Sequence, residues 1–367
     1  MLPGNPAPAP ADCGSIGDPP GATILYRPKS AERRRGLATA IAFCTWLYLA
    51  LVLVVWLLLR FGGDRWWLAT VMLFGPRWLY AIPWVALVPV AALVRPRLLW
   101  PLAGAAVVLL GPIMGLCLPW ARLVARDGPM VRVLTCNIDG AAVDVQRLAE
   151  LVADTQPDVV ALQECPVDLP LKWPAGWYFC RAGQLLIASP HPLRNEESVQ
   201  NLHPPSPWPP VNGLRCSVAM PQGQVGFCCV ALRTPRGGLS QVIDRQTLVS
   251  PARSTKLVAE IVERRLESEE LVEWLQGWPG AWIAAGDFNM PADSATYRAS
   301  WARYSNAFSV SGFGFGYTKW TPIHGWQYGL RIDHVLAAPG VKPRRCWVGP
   351  DIGSDHLPLI ADLQWTE

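Results

Sequence analysis

The chain has 367 residues, 51% of them hydrophobic and 16% charged, with a formal net charge of +4. That apolar fraction, with 19 Trp, excludes an extended disordered chain, and the length suits two structural units. The charge is uneven: residues 1–129 carry 12 Lys/Arg against 5 Asp/Glu, residues 130–367 carry 20 against 23, and all five His fall in the second part.

Residues 1–35 begin with a stretch rich in Pro, Gly and Ala and end on Arg33, Arg34 and Arg35, which predicts a disordered basic tail. Residues 36–121 predict a transmembrane region of about three helices. Gly36–Leu59 is a run of 24 uncharged residues, long enough at about 1.5 Å per residue to cross a hydrocarbon core of roughly 30 Å. A secretory signal has a shorter apolar core, about 7–15 residues, so a retained span is expected. Leu98–Ala121 is a second run of 24, and its Pro and Gly residues are tolerable where neighbouring helices satisfy the backbone. Trp78–Val94, 17 residues, is at the short limit and reads as a span or as a re-entrant segment. Lys/Arg are in excess before the first span, which puts the amino terminus in the cytoplasm. Three spans then place the following domain outside; two would return it inside. Three are expected here, an integral membrane protein with an extracytoplasmic domain.

From Met130 the pattern changes. Strands are expected at Val131–Cys136, Val159–Gln163, Gln184–Ala188, Arg215–Met220, Val225–Leu232, Trp282–Ala285, Ile332–Ala337 and Leu359–Leu363, with helices over Ala142–Ala153 and Ala252–Leu275. Proline-rich residues 195–213 read as an irregular loop, and Glu267, Glu269, Glu270 and Glu273 as a solvated helix face. Helices among many strands suggest an α/β sandwich over residues 130–367. Seven of the ten Cys lie in this part, and an outside location would permit disulfides of undetermined pairing.

Polar residues recur where strands end: Asn137 and Asp139, Glu164, Asp287 and Asn289, then Asp333 and the triplet Ser354-Asp355-His356. One Asp at a strand end is ordinarily a turn or cap residue; the ordered set points to chemistry. Carboxylate and amide oxygens at a sheet rim suit a hard divalent cation, which takes oxygen ligands and substrate phosphate. His334, adjacent to Asp333, falls on the opposite strand face. His191, His203 and His324 sit in loops, and Ser189 lacks a nucleophile elbow.

The motifs TCNIDG (135–140), ALQE (161–164), GDFN (286–289), RIDHVL (331–336) and GSDHLPL (353–359), in this order and spacing, resemble the endonuclease/exonuclease/phosphatase superfamily of DNase I-like proteins. The hydrophobic amino-terminal block makes the chain look closest to membrane-tethered members. The resemblance implies a four-layer αββα sandwich with a rim site. It also implies Mg²⁺, or Mn²⁺ in its place, bound by Glu164 with Asp139 and Asp355. Phosphate would be held by Asn137, the water by Asp287 and Asn289, and the catalytic imidazole His356 would be oriented by Asp333. Where many members carry a His at the end of the middle strand, this chain has Arg233, which can grip phosphate but cannot donate a proton.

The function expected is a membrane-anchored, Mg²⁺-dependent phosphodiesterase acting by in-line water attack. Its partners would be the lipid bilayer and a phosphodiester, either nucleic acid or a phospholipid head group, and no obligate protein partner is evident. The alternative is a catalytically degenerate scaffold, favoured by Arg233. The domain lacks a large basic cluster; Arg264-Arg265 and Lys342/Arg344/Arg345 are the nearest to one.

Overall fold

The computed structural model describes residues 29–121, 128–201, 210–244, 252, 254–323 and 325–365. Most of the expected tail, together with His203 and His324, lies outside them. Helix α1 (Lys29–Leu57) passes into a π-helical turn over Leu58–Gly62. Short α2 (Trp67–Phe74) follows, then α3 (Ile82–Val94), and α4 (Leu99–Val108) with a second π-helical turn over Leu109–Ile113. Three helical stretches, Arg33–Gly62, Arg77–Val94 and Pro96–Ile113, are long and apolar enough to cross a membrane. They bury a narrow inner seam that includes Val52, Leu59, Leu102 and Leu109. Their outer faces expose large apolar side chains, among them Leu93 at 88% and Trp100 at 82%.

The third apolar run is helical only to Ile113, not to Ala121. Pro112 and Gly115, the latter at φ +80°, break it. Cys117 then pairs with Gly314 through backbone hydrogen bonds of 2.8 and 3.1 Å, so the chain enters the following domain directly.

That domain is a four-layer αββα sandwich. Its strands are β1 (Met130–Asn137), β2 (Val159–Gln163), β3 (Tyr178–Ala182), β4 (Leu185–Ser189), β5 (Leu193–Gln200), β6 (Val211–Met220), β7 (Gly223–Ala231), β8 (Trp282–Asp287), β9 (Ser305–Asn306), β10 (Lys319–Ile323), β11 (Trp326–Leu330), β12 (Asp333–Ala337), β13 (Val341–Val348) and β14 (Leu359–Trp365). The helices are α5 (Val145–Thr155), α6 (Arg236–Ile243), α7 (Thr255–Gln276), α8 (Ala295–Ser300) and α9 (Ala307–Ser311). One sheet runs β13-β14-β1-β2-β4-β3 and the other β5-β6-β7-β8-β12-β9, with β10-β11 a separate hairpin.

Strand periodicity builds the layers. On β1, Val131 and Val133 face the other sheet, whereas Leu134 and Cys136 pack on Leu148, Leu151 and Val152 of α5. On β7, Phe227, Cys229 and Ala231 face inward, whereas Cys228 and Val230 pack with Leu271 and Leu275 of α7.

Three expectations need correction. The loop expected over 195–213 overlaps β5, an exposed edge strand without the alternation that marks a buried one, and the start of β6, while residues 202–209 lie outside the described residues. Strands β3, β9, β10, β11 and β13 were not foreseen; β13 carries Pro343 at a register shift, where a missing donor is tolerated. Glu267 is buried rather than solvated, because it faces Arg233 across the helix–sheet layer. All nine described cysteines carry free thiols.

Candidate active site

The parallel pairs β1–β2 and β7–β8 bring four carboxyl ends to one rim of the sandwich. Asn137 and Asp287 continue the inward-facing rows of β1 and β8, and Asp333 begins that of β12. Antiparallel pairing sets Asp333 directly opposite Asp287. The polar cluster therefore caps the core between the sheets.

Asn137 ties the two halves together. Its Nδ2 donates to Glu164 Oε1 at 2.9 Å and to Asp287 Oδ2 at 3.1 Å, while its Oδ1 accepts from the Asp139 amide at 3.0 Å. Asn289 donates its amide N–H to Asp287 Oδ1 at 2.8 Å, and its Nδ2 to Asp287 Oδ2 at 3.0 Å and the Leu232 carbonyl at 2.8 Å. Asp139, Glu164 and Asn289 all adopt left-handed backbone, at φ +48°, +51° and +50°. Strain of this kind, roughly 1–3 kcal/mol per residue, persists where surrounding contacts over-determine a geometry.

His356 Nδ1 lies 2.9 Å from Asp333 Oδ2, which fixes the ring and its tautomer. Ser354 supports it from behind, donating to the Asn137 carbonyl at 2.7 Å and accepting from the His356 amide at 3.0 Å. His356 Nε2 points into a gap, 3.8 Å from both Asp287 Oδ2 and Asp355 Oδ1 and so beyond hydrogen-bond reach of either. Burial alone would lower the His356 pKa, but the Asp333 and Asp287 charges and the Asp333 hydrogen bond outweigh it and raise it to about 9. Burial raises Asp287 to about 7, opposed by His356 and reinforced by Asp333. One group thus holds a proton at neutral pH while the other is poised to take one. Asp333 Oδ1 is buried without a hydrogen-bond partner, an asymmetry that leaves this carboxylate committed to the imidazole through Oδ2.

The remaining expected residues divide. Glu164 is half-buried and Asp139 exposed on adjoining turns, joined by the Gly140 amide donating to the Glu164 carbonyl at 3.1 Å. No Lys or Arg among the described residues pairs with either. Asp355, expected beside the metal, is instead ion-paired with Lys319 and lies 3.4 Å from Arg236 Nη2. Although burial pushes its pKa up, the Lys319 hydrogen bond and charge dominate and hold it below the usual carboxylate range. Arg233 is held against α7. Its buried guanidinium has Nε 3.0 Å from Glu263 and 3.4 Å from Glu267, and Glu267 also accepts from its backbone amide at 2.8 Å. Two carboxylates pull it toward α7, so the expected phosphate grip is withdrawn.

Other expectations fall outside the site. His334 is fully buried on the far face, with ring nitrogens 3.1 Å from Asn306 and 3.0 Å from the Met290 carbonyl. Burial lowers its pKa to about 4. His191 contacts Asp158 at 3.1 Å, and Ser189 donates to the Asp158 carbonyl at 2.6 Å, both structural roles.

Sequence reasoning missed Thr318, Lys319, Arg236 and Gln163. Thr318 Oγ1 accepts from the Asp333 amide at 3.2 Å. Gln163 Nε2 contacts Thr135 and Cys229 at 3.1 Å each, a polar bridge between the sheets beneath the site. Gln163 stands inside a quoted motif, so its inward register was readable; the other three arrive from the starts of α6 and β10, distant in sequence, and leave no local signal.

Residues 134–356 match the Endonuclease/Exonuclease/phosphatase family. The chain belongs to this family. That match spans every residue of the rim cluster from Asn137 to His356. No curated protein matches the chain. Among solved structures, the 3′ phosphatase NExo from Neisseria bound to a product DNA hairpin is 21% identical, covering 64% of this chain and 100% of that one at a TM-score of 0.49. TDP2 from D. rerio complexed with a single-strand DNA product is 16% identical, over 64% and 99% at 0.48. An AP endonuclease from Archaeoglobus fulgidus is 16% identical, over 63% and 98% at 0.44.

Proposed function

We propose that the chain is a membrane-anchored, divalent-metal-dependent phosphoesterase that cleaves a phosphate ester by in-line attack of water. The observation that carries this reading is the Asp333–His356–Asp287 arrangement, with an oriented imidazole facing a buried acid across a gap. Asp287 takes the proton of the attacking water, which Asn289 helps to position. His356, carrying protons on both ring nitrogens at neutral pH, donates from Nε2 to the phosphate or its leaving oxygen. Asn137 Nδ2 would reach phosphate by exchanging its bond to Glu164 or Asp287, and Arg236, exposed beside Asp355, offers a cation in place of Arg233.

The donor set suits Mg²⁺ or Mn²⁺. Glu164 and Asp139 supply oxygen ligands at the rim with no basic partner among the described residues, which is the excess of negative charge a hard cation offsets. Such an ion would supply Lewis-acid stabilisation of charge on phosphate oxygens. Asp355 is the least suited of the three expected ligands, because Lys319 already neutralises it.

The anchor reading rests on the three apolar helical stretches and their exposed outer faces. Contacts of Arg60, Arg77 and Cys117 with the same domain suit three alternating spans, and the Lys/Arg excess before the first span supports a cytoplasmic amino terminus. Residues 1–35, 36–121 and 130–367 then serve as tail, anchor and catalytic domain. Against the scaffold alternative stands His356, oriented by Asp333, which supplies the proton donor that Arg233 cannot.

The test uses the full chain in detergent with plasmid, single-stranded DNA, RNA, sphingomyelin and phosphoinositide, each with Mg²⁺ and with chelator. Metal-dependent hydrolysis of at least one substrate, abolished in His356→Ala, is expected. No difference between wild type and His356→Ala on any substrate would refute the enzyme reading.

A further inference from the structure

The anchor does more than hold the domain in place. The turn after the first apolar helix carries Asp64, in left-handed backbone at φ +59° and braced by Thr70 Oγ1, 3.0 Å from its amide. Asp64 Oδ1 lies 3.3 Å from Arg264 Nη2 of α7, and the two side chains are 1% and 0% exposed. Asp64 Oδ2 accepts from the Thr296 amide at 3.3 Å. The Arg264 guanidinium also sits 5.5 Å from the Phe74 ring of the anchor. Its other terminal nitrogen, Nη1, donates to the Asn289 carbonyl at 3.2 Å.

The segment after β8 is gripped again four residues later. Arg77 of the anchor makes a bidentate pair with Asp293 at 2.9 and 3.1 Å, while its remaining donors go to the Leu73 and Ile113 carbonyls. Residues 289–293, which begin with the strained Asn289, are thus clamped by one arginine from the anchor and by a second whose charge the anchor neutralises.

We infer that Asp64 is a positioning residue for the active site: it fixes Arg264, and through it the Asn289 carbonyl and the water-binding side of the rim, so turnover depends on the anchor. A buried arginine without its carboxylate must find another counter-charge, and Glu260 and Glu267 on its own helix, both of which feel its charge, are candidates. Moving toward them withdraws Nη1 from Asn289. This rests on the hydrolase reading of the site.

The experiment compares the full wild-type chain with Asp64→Asn and with Asp64→Asn/Arg264→Gln. It measures kcat, KM, melting temperature, and hydrogen–deuterium exchange of peptides spanning 286–293. Asp64→Asn should lower kcat by about 10- to 100-fold with KM within about twofold, the scale of a misplaced catalytic group, and should speed exchange in that segment selectively. The double variant removes the charge imbalance, so its melting temperature should recover while kcat stays low and exchange stays fast. Recovery of kcat together with stability in the double variant would overturn the inference, as would unchanged kcat and exchange in Asp64→Asn. If Asp64→Asn alone does not fold, the double variant against wild type decides the same question. If wild type itself hydrolyses nothing, the hydrolase reading fails, and exchange in 286–293 still tells whether Asp64 sets the loop.

Discussion

Two buried ionic clusters lie within a few residues of each other, and they are built on opposite principles. In the cluster along α7, every charge is paired with one of opposite sign: Arg264 with Asp64, and Arg233 with Glu263 and Glu267. At the rim they are not. Asp287, Asp333, Asp139 and Glu164 outnumber the single imidazole, three backbone positions are strained, and a carboxylate oxygen of Asp333 has no partner. A matched cluster holds geometry. A mismatched one is stable only because the rest of the fold imposes it, and a bound cation would give its acids the partner they lack. Stability and chemistry are therefore assigned to different clusters, with Asn289 the point where they touch.

Variants should separate the two. His356→Ala should lower turnover by on the order of 10³-fold, about 4 kcal/mol in the barrier, with little loss of melting temperature. A large drop in stability with proportionate loss of activity would mean the rim is structural as well. On the matched side, Glu267→Ala strips Arg233 of its backbone and side-chain acceptor and should cost roughly 3 kcal/mol in denaturant unfolding. A cost below 1 kcal/mol would show that Glu263 alone suffices.

His334 offers a contrast governed by pH. Its native pKa of about 4 lies below the ordinary value of 6.5, so the unfolded chain binds the proton first as pH falls. The stability this represents is complete above about pH 6.5 and is lost progressively down to about pH 4, by up to about 3 kcal/mol. Asp287, raised to about 7, titrates with the opposite sign over the same window, so the His334 share is read as the difference in slope between wild type and His334→Gln; identical slopes in the two would dismiss it. The smallest effect is a gain. Replacing the buried acid in Asp287→Asn should raise stability by roughly 0.5–2 kcal/mol at pH 8 without added metal, at the expense of turnover. Destabilisation there would contradict the view that the rim carries strain for function.

Much of this was legible in the sequence. The inward row of each strand ends in a polar residue, so Asn137, Asp287 and Asp333 could be placed from periodicity and motif alone, and His334 excluded by the same parity. The apolar runs announced themselves by length. What could not be read were contacts between distant segments. Glu267 looks like one acid in an exposed run until Arg233 is laid beside it. Arg264 looks like half of a basic surface pair until Asp64 arrives from the anchor. Asp355 looks like a metal ligand until the hairpin of β10 and β11 delivers Lys319. In each instance a charge was correctly noticed and its partner was remote, and the partner decides the role.

The central claim is that the acid excess at the rim exists to hold a cation and turn over a phosphate ester. Its most direct test is the initial rate of bis-p-nitrophenyl phosphate hydrolysis by the full chain as Mg²⁺ is titrated, for wild type and for Glu164→Ala. The account expects a saturable, chelator-reversible rate in wild type and, in the variant, a rate at least about 100-fold lower at the same Mg²⁺ concentration. Equal rates in the two proteins, or a wild-type rate indifferent to Mg²⁺ and chelator, would contradict it.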